Sequence, residues 1–160
     1  LLWEIKKSFN DSPKIIAVNL EKQQIVSTSI ELSKNYQATY SLPKKYLYEP
    51  NASLLKSGGF EAVSELFALD KLHQHSHLYT ADEIKDFQGR RFEITKEIPF
   101  QKNDLKKYIQ NQKMNVTTRN FPLKVEDIKK KYKISDGGTL FAFFTTNLKN
   151  EKIVLLCTKI

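Results

Sequence analysis

Two apolar segments rich in aromatic and β-branched residues stand at the end of the 160-residue sequence, on either side of a short polar stretch. The first runs from Thr139 to Thr145 and the second from Lys152 to Ile160, with Asn147–Asn150 between them. This pattern is typical of antiparallel strands joined by a turn, and continuous apolar runs belong to strands that are buried in a sheet. We therefore predict a terminal β-hairpin with a continuous apolar core.

Two amphipathic helices are predicted before this hairpin. One begins at Asn103, which is a suitable N-cap, and the other covers Lys124–Tyr132, with the short strand Val116–Arg119 between them. The order α-β-α-β-β over about 60 residues predicts helices packed on one face of a small mixed sheet. The side chains expected to point inward are Leu105, Tyr108 and Ile109 on the first helix and Val125, Ile128 and Tyr132 on the second.

The first half of the sequence is interpreted as mixed α and β. Asn51 is a plausible N-cap, so a helix is predicted from Ala52 to about Leu69, with a bend at Gly58–Gly59. The other predictions are a turn at Asn10–Pro13, strands or extended segments at 15–18, 25–30, 36–40, 72–79 and 90–95, and a short helix at 81–87.

The positive charge of the chain is confined to its second half. Residues 1–95 carry 12 Lys and Arg against 12 Asp and Glu, whereas residues 96–160 carry 14 against 6, which accounts for the whole formal charge of +8. A basic unit beside a neutral one indicates two units with different partners, and the basic unit suits a polyanion.

Most basic residues of the second half should face water if the apolar stripes of both helices face the sheet. Such residues can form a solvated helix face or a phosphate-contacting surface, and the uneven charge favours the second interpretation. The candidate phosphate contacts are Lys102, Lys106, Lys107, Lys113, Arg119, Lys124, Lys129, Lys130, Lys131 and Lys133.

Catalytic and cofactor motifs are absent from the sequence. Its five glycines form no glycine-rich loop after a strand, so we expect no dinucleotide, P-loop or methyl-donor cradle and no catalytic residue. The single cysteine, Cys157, lies in an apolar strand and is expected to be a small buried hydrophobe. One cysteine and no long apolar run indicate a soluble, cytoplasmic protein, and the first residue, Leu1, suggests a fragment of a longer chain.

Three histidines, His73, His75 and His77, alternate with other residues in the predicted extended segment 72–79. Strand periodicity would place the three rings on one face with neighbours about 7 Å apart, whereas zinc ligands lie about 2.1 Å from the ion. We therefore expect a polar strand face or a loop and no metal site.

The string Tyr46-Leu-Tyr-Glu-Pro-Asn has two interpretations. It can be a strand end followed by a proline stop and a helix cap. It can also collect aromatic rings, a carboxylate and an amide where a nucleobase could stack or be hydrogen-bonded.

Two sets of short strings in the chain resemble known domains. The first set is Asp104–Tyr108, Val116–Arg119, Phe121–Pro122, Ile128–Tyr132 and Asp136–Gly138. The second set is Lys45–Asn51, His77–Thr80 and Gly89–Phe92. Through the first set, residues 96–160 are similar to the THUMP-like domain at the end of a family of bacterial class I S-adenosylmethionine-dependent methyltransferases. Through the second set, the upstream part resembles the ferredoxin-like domain that precedes it.

This resemblance implies a ferredoxin-like domain at 1–95, a THUMP-like domain at 96–160, and a cofactor-binding catalytic domain outside this chain. RNA is the implied substrate, and this chain would recognise it and contact the catalytic domain. The residues assigned to a substrate pocket or docking surface are Tyr46, Tyr48, Glu49, Asn51, Arg90 and Arg91. Two alternatives stay open: a protein-interaction or regulatory module, and a methyltransferase acting on a substrate other than RNA.

Overall fold

The computed structural model describes residues 12–21 and 24–160, so the start of the predicted turn at Asn10–Pro13 lies outside the described residues. The strands are β1 (Lys14–Glu21), β2 (Gln24–Glu31), β3 (Thr39–Tyr40), β4 (Tyr46–Pro50), β5 (Asp70–His73), β6 (Ser76–Ala81), β7 (Gly89–Pro99), β8 (Asn115–Arg119), β9 (Leu140–Thr146) and β10 (Lys152–Lys159). The helices are α1 (Ala52–Ser57), α2 (Phe60–Leu66), α3 (Lys102–Tyr108) and α4 (Val125–Tyr132).

Eight of these strands form one mixed sheet in the order β3-β5-β6-β4-β7-β10-β9-β8, and β1 pairs with β2 in a separate antiparallel hairpin. The long strand β7 connects the two halves of the large sheet, because it pairs with β4 through its first residues and with β10 from Phe92 to Pro99. It runs through position 95, where the sequence analysis places the domain boundary. The predicted α+β class and the terminal hairpin of β9 and β10 are confirmed.

The large sheet folds across itself and brings β4 close to β8. Four inter-strand steps separate these strands, so a flat sheet would hold them roughly 19 Å apart at about 4.8 Å per step. Instead, Glu49 on β4 and Arg119 on β8 form an ion pair with an N–O distance of 2.6 Å. The hydroxyl groups of Ser76 on β6 and Thr145 on β9 lie 2.8 Å apart. The inner faces of the two halves therefore pack against each other.

Apolar side chains from both halves fill the space between these inner faces, and we call this cluster the inner core. The Phe92 ring, from β7, packs against the ring of Phe143 on β9 with centroids 4.9 Å apart. Burial of this apolar surface is the main force that holds the halves together. The members of the inner core are Leu47, Leu72, Leu78, Phe92, Phe143, Ile153, Leu155 and Cys157.

The helices cover the outer face of the sheet. Leu54 of α1 and Val63 of α2 pack with Tyr48 of β4, which points away from the inner core. Leu105 of α3 and Ile128 of α4 are buried in a separate cluster with side chains of β7, β9 and β10. The prediction of helices on one face of a mixed sheet is thus confirmed.

The predicted helix from Ala52 to Leu69 is interrupted where a bend was expected. Asn51 caps α1, since its side chain accepts a hydrogen bond from the Leu54 amide. Gly58 adopts a left-handed conformation with φ of 74°, which ends α1 and separates it from α2.

Three other expectations were wrong. Residues 72–79 form the β5–β6 hairpin with a turn at 74–75, and residues 81–87 form no helix because backbone groups of Glu83 and Lys85 bond the Tyr48 hydroxyl. Asn103 lies inside α3, whose N-cap is Gln101. The segment 36–40, predicted to be a strand or extended segment, forms strand β3 at Thr39–Tyr40, so that expectation is confirmed in part.

Candidate functional site

The basic residues of α3 and α4 face water because the apolar stripes of both helices are buried. On α4, Ile128 and Tyr132 are buried, and lysines occupy the rest of the last turn. The solvent-exposed candidates are Lys102, Lys106, Lys107, Lys113, Lys124, Lys130, Lys131 and Lys133. Two candidates are engaged elsewhere, since Lys129 pairs with Asp136 at 2.6 Å and Arg119 pairs with Glu49.

Tyr108 packs against the buried cluster beneath α3 and also lies between two lysines. The Nζ atoms of Lys96 and Lys107 are 4.8 and 4.9 Å from the centroid of its half-buried ring. The hydrogen bond from Lys107 and the positive charges of Lys107 and Lys96 lower the pKa of the Tyr108 hydroxyl. The sequence interpretation placed Tyr108 inward by helical spacing, and nothing local in the sequence brings Lys96 to the ring.

A second charged cluster is centred on Glu49, whose side chain is only 3% exposed. Arg119 Nη2 donates to Glu49 Oε1 at 2.6 Å. Arg90 Nε donates to Glu49 Oε2 at 2.6 Å, and Arg90 Nη2 also contacts that oxygen. A buried carboxylate needs such partners, because an unpaired charge in the interior is strongly unfavourable.

Strand register explains why these three side chains meet. Glu49 is directly opposite Arg90 in the pairing of β4 with β7, so the two side chains share a face of the sheet. Arg119 is the last residue of β8, which the folding of the sheet carries over β4. Gly89 permits close backbone contact here, because a Cβ atom at this position would lie 2.2 Å from the Glu49 carbonyl oxygen.

The structure does not gather the six predicted pocket or docking residues on one surface. Tyr48 is buried on the outer face, where burial raises the pKa of its hydroxyl. Asn51 caps α1, and Arg91 Nη1 donates to the Lys85 carbonyl at 3.4 Å. Tyr46 is half-buried beneath the Lys45 ammonium. Glu49 and Arg90 are thus the pair from this set that meet on the inner face.

The His73 and His75 rings lie close together, with centroids 5.5 Å apart, whereas His77 has a different environment. His73 is held by Asn150 at Nε2 and by the His75 amide and Asn120 at Nδ1, each at 3.0 Å. Since a backbone N–H can only donate, Nδ1 accepts and the proton lies on Nε2. His75 is in the turn, and His77 stacks on Phe60. Strand periodicity would place the three rings on one face, but the segment is a hairpin and His75 lies in its turn, as the loop alternative predicts.

Cys157 is fully buried in the inner core, as the sequence predicts, and burial raises the pKa of its thiol. No three His, Cys, Asp or Glu side chains among the described residues are grouped so that they could hold a metal ion. Within the same residues, no helix has the length and apolar character to cross a membrane.

Two domain families match regions of the chain that include most strands of the large sheet. Residues 46–87 match a family described as a ferredoxin-like domain, and residues 89–159 match a family described as THUMP domain-like. The chain contains a ferredoxin-like and a THUMP-like domain. β4 to β6 lie in the ferredoxin-like domain, β7 to β10 lie in the THUMP-like domain, and the inner core contains residues of both.

A solved structure matches nearly the whole chain. It is the crystal structure of a "putative methyltransferase" from Porphyromonas gingivalis W83, which is 34% identical in sequence and superposes with a TM-score of 0.81. The match covers 91% of this chain but 38% of the P. gingivalis protein, so this chain spans well under half the length of that protein. A comparison with curated proteins found no match.

Proposed function

We propose that this chain is the substrate-recognition part of an S-adenosylmethionine-dependent methyltransferase and that its substrate is RNA. The observation that carries the proposal is the match over 91% of the chain to a protein described as a methyltransferase, together with the THUMP-like domain at 89–159. The catalytic domain would correspond to the part of the P. gingivalis protein that this chain does not cover. We place the whole protein in the cytoplasm, where its unpaired, buried Cys157 would stay reduced.

The described residues do not fit an S-adenosylmethionine site. A cofactor of this kind is usually held by a glycine-rich loop that follows a strand and opens a helix. Gly58 and Gly59 join α1 to α2, Gly89 begins β7, and Gly137 and Gly138 precede β9. We therefore assign the methyl transfer to the catalytic domain and only recognition to this chain.

The basic THUMP-like domain supports RNA as the substrate. Double-stranded RNA hides its base edges in a deep groove, so proteins bind it largely through its shape and its phosphates. The exposed lysines of α3 and α4 can contact phosphates in this way. The exposed lysines at the end of α4, which are Lys130, Lys131 and the C-cap residue Lys133, are close together in the sequence.

RNA binding by the 160-residue chain tests this proposal. Fluorescence anisotropy with a labelled RNA hairpin should show that log affinity falls linearly with log salt concentration, because bound phosphates release counterions. Replacing Lys130, Lys131 and Lys133 together by Ala should reduce the slope by about 0.7 to 0.9 for each lysine that contacts a phosphate of the loop or the duplex stem.

The matched control is the triple variant Lys14→Ala, Lys45→Ala and Lys56→Ala, which removes the same charge outside the THUMP-like domain. It should leave the slope unchanged. If wild-type protein shows no salt-dependent RNA binding, or binds polyglutamate as tightly as RNA, the proposed function is wrong and a protein-interaction module is the better account.

A further inference from the structure

We propose that Arg90 and Arg119 together bind a backbone phosphate of RNA, at the seam where β4 of the ferredoxin-like domain meets β8 of the THUMP-like domain. This inference rests on the proposed function and locates a contact that the lysine-rich helices do not supply. Three features of the Glu49 cluster support this site: its excess positive charge, the guanidinium N–H groups that have no acceptor, and the fixed positions of the two arginine side chains.

The cluster has an excess positive charge that faces solvent. Two guanidinium groups surround a single carboxylate, and among the described residues Glu49 is the acidic partner with which either arginine pairs. The Glu49 side chain is 3% exposed, whereas those of Arg90 and Arg119 are 44% and 35% exposed. An anion approaching from solvent therefore meets the guanidinium groups and not the carboxylate.

Both guanidinium groups retain N–H donors for such an anion. A guanidinium group has five N–H donors. Arg90 uses Nε and Nη2 on Glu49, and Arg119 uses Nη2 on Glu49 and Nη1 on the Thr118 carbonyl. Arg90 Nη1 and Arg119 Nε make no contact of this kind within the described part of the chain. A phosphate with two free oxygens suits paired guanidinium donors.

The two side chains are held in place before any ligand binds. Arg90 is bonded to Glu49 and lies over the Phe92 ring, 5.6 Å from its centroid. Arg119 is bonded to Glu49 and to its neighbour's carbonyl group. Binding to fixed side chains loses less conformational entropy than binding to free ones, so this site should contribute more per contact than an exposed lysine.

Charge-conserving substitutions test the proposal. The double variant Arg90→Lys and Arg119→Lys keeps both positive charges but loses the planar donor geometry. We expect its affinity for the RNA hairpin to fall about five- to tenfold at fixed salt concentration, with a salt slope close to wild type. Arg90→Lys alone, at the more exposed side chain, should lower RNA affinity about threefold. Because this single variant keeps the Arg119–Glu49 ion pair, it provides the test if the double variant does not fold.

Arg91→Lys is the matched control. It makes the same chemical change at the adjacent position. Although the sequence analysis assigned Arg91 to the pocket or docking surface, its side chain lies on the outer face, opposite to the face that holds Glu49, and donates to the Lys85 carbonyl. RNA affinity in this variant should equal that of wild type. Thermal melts confirm that each variant is folded before binding is measured.

The outcomes separate this inference from the proposed function. If wild-type protein binds RNA with the expected salt dependence but folded Arg90→Lys and double variants bind equally well, the arginines are only a structural ion pair and the inference is wrong. Equal losses in Arg91→Lys would also overturn it. Failure of wild-type protein to bind RNA would instead refute the proposed function.

Discussion

The His77 imidazole stacks on the Phe60 ring with centroids 3.6 Å apart, and its Nδ1 atom is buried without a hydrogen-bond partner in the described residues. Burial, followed by the positive charges of Lys71 and Arg119, lowers the pKa of this ring below its usual value of 6.5. The folded protein therefore disfavours the imidazolium form.

This low pKa predicts that acid destabilises the protein through His77. Below pH 6.5 the unfolded chain takes up a proton at this position before the folded chain does, so the free energy of unfolding falls as pH falls toward the folded-state pKa. In His77→Phe, which can keep the stack on Phe60, the decline should be shallower. Urea denaturation of both proteins at pH 7.5, 6.5 and 5.5 measures the free energy of unfolding at each pH. Parallel pH profiles of the two proteins would contradict the prediction.

At the scale of elements, the N-termini of α1 and α3 differ in capping, and mutation can detect this difference. Asn51 Oδ1 accepts the Leu54 amide at 3.0 Å, whereas Gln101, the N-cap residue of α3, makes no such side-chain bond. Asn51→Ala should therefore reduce the free energy of unfolding by about 1 kcal/mol. Gln101→Ala should change it by less than about 0.5 kcal/mol. Equal effects in urea denaturation would show that the cap of α1 contributes nothing specific.

Local sequence patterns predicted several helices and strands correctly and predicted others wrongly. Asn51, the glycines at 58–59 and the apolar spacing of α4 act over one or two helical turns, so they could be recognised in the sequence. The β5–β6 turn contains Gln74 and His75, which lack the usual turn chemistry of Gly, Pro, Asn or Asp, and the segment was therefore interpreted as one extended piece.

The whole molecule has an inner core shared by its two domains, so we expect both to unfold together. Phe92 contacts Phe141 and Phe143 at centroid distances of 5.0 and 4.9 Å and is fully buried. Phe92→Ala should reduce the free energy of unfolding by about 3 to 5 kcal/mol.

Hydrogen exchange measured by mass spectrometry shows whether the two domains unfold together or independently. In Phe92→Ala, protection should decrease in β4–β6 and in β9–β10 alike. The control Ile25→Ala, at a side chain that is 76% exposed on β2, should leave protection in both regions unchanged. Retained protection in β4–β6 of the Phe92 variant would show that the ferredoxin-like domain is stable independently of the THUMP-like domain.

The amino-acid sequence by itself determined the α+β class, the terminal hairpin, the basic helix faces and the burial of Cys157, because each follows from periodicity or composition within a short segment. Tertiary structure alone decided that Glu49 meets Arg119, 70 positions away, and that Lys96 meets Tyr108. The first contact requires the strand order β4-β7-β10-β9-β8 and the folding of that sheet onto itself. Strand order depends on the burial of the whole inner core, which is a property of many distant residues together and is not encoded in any local pattern.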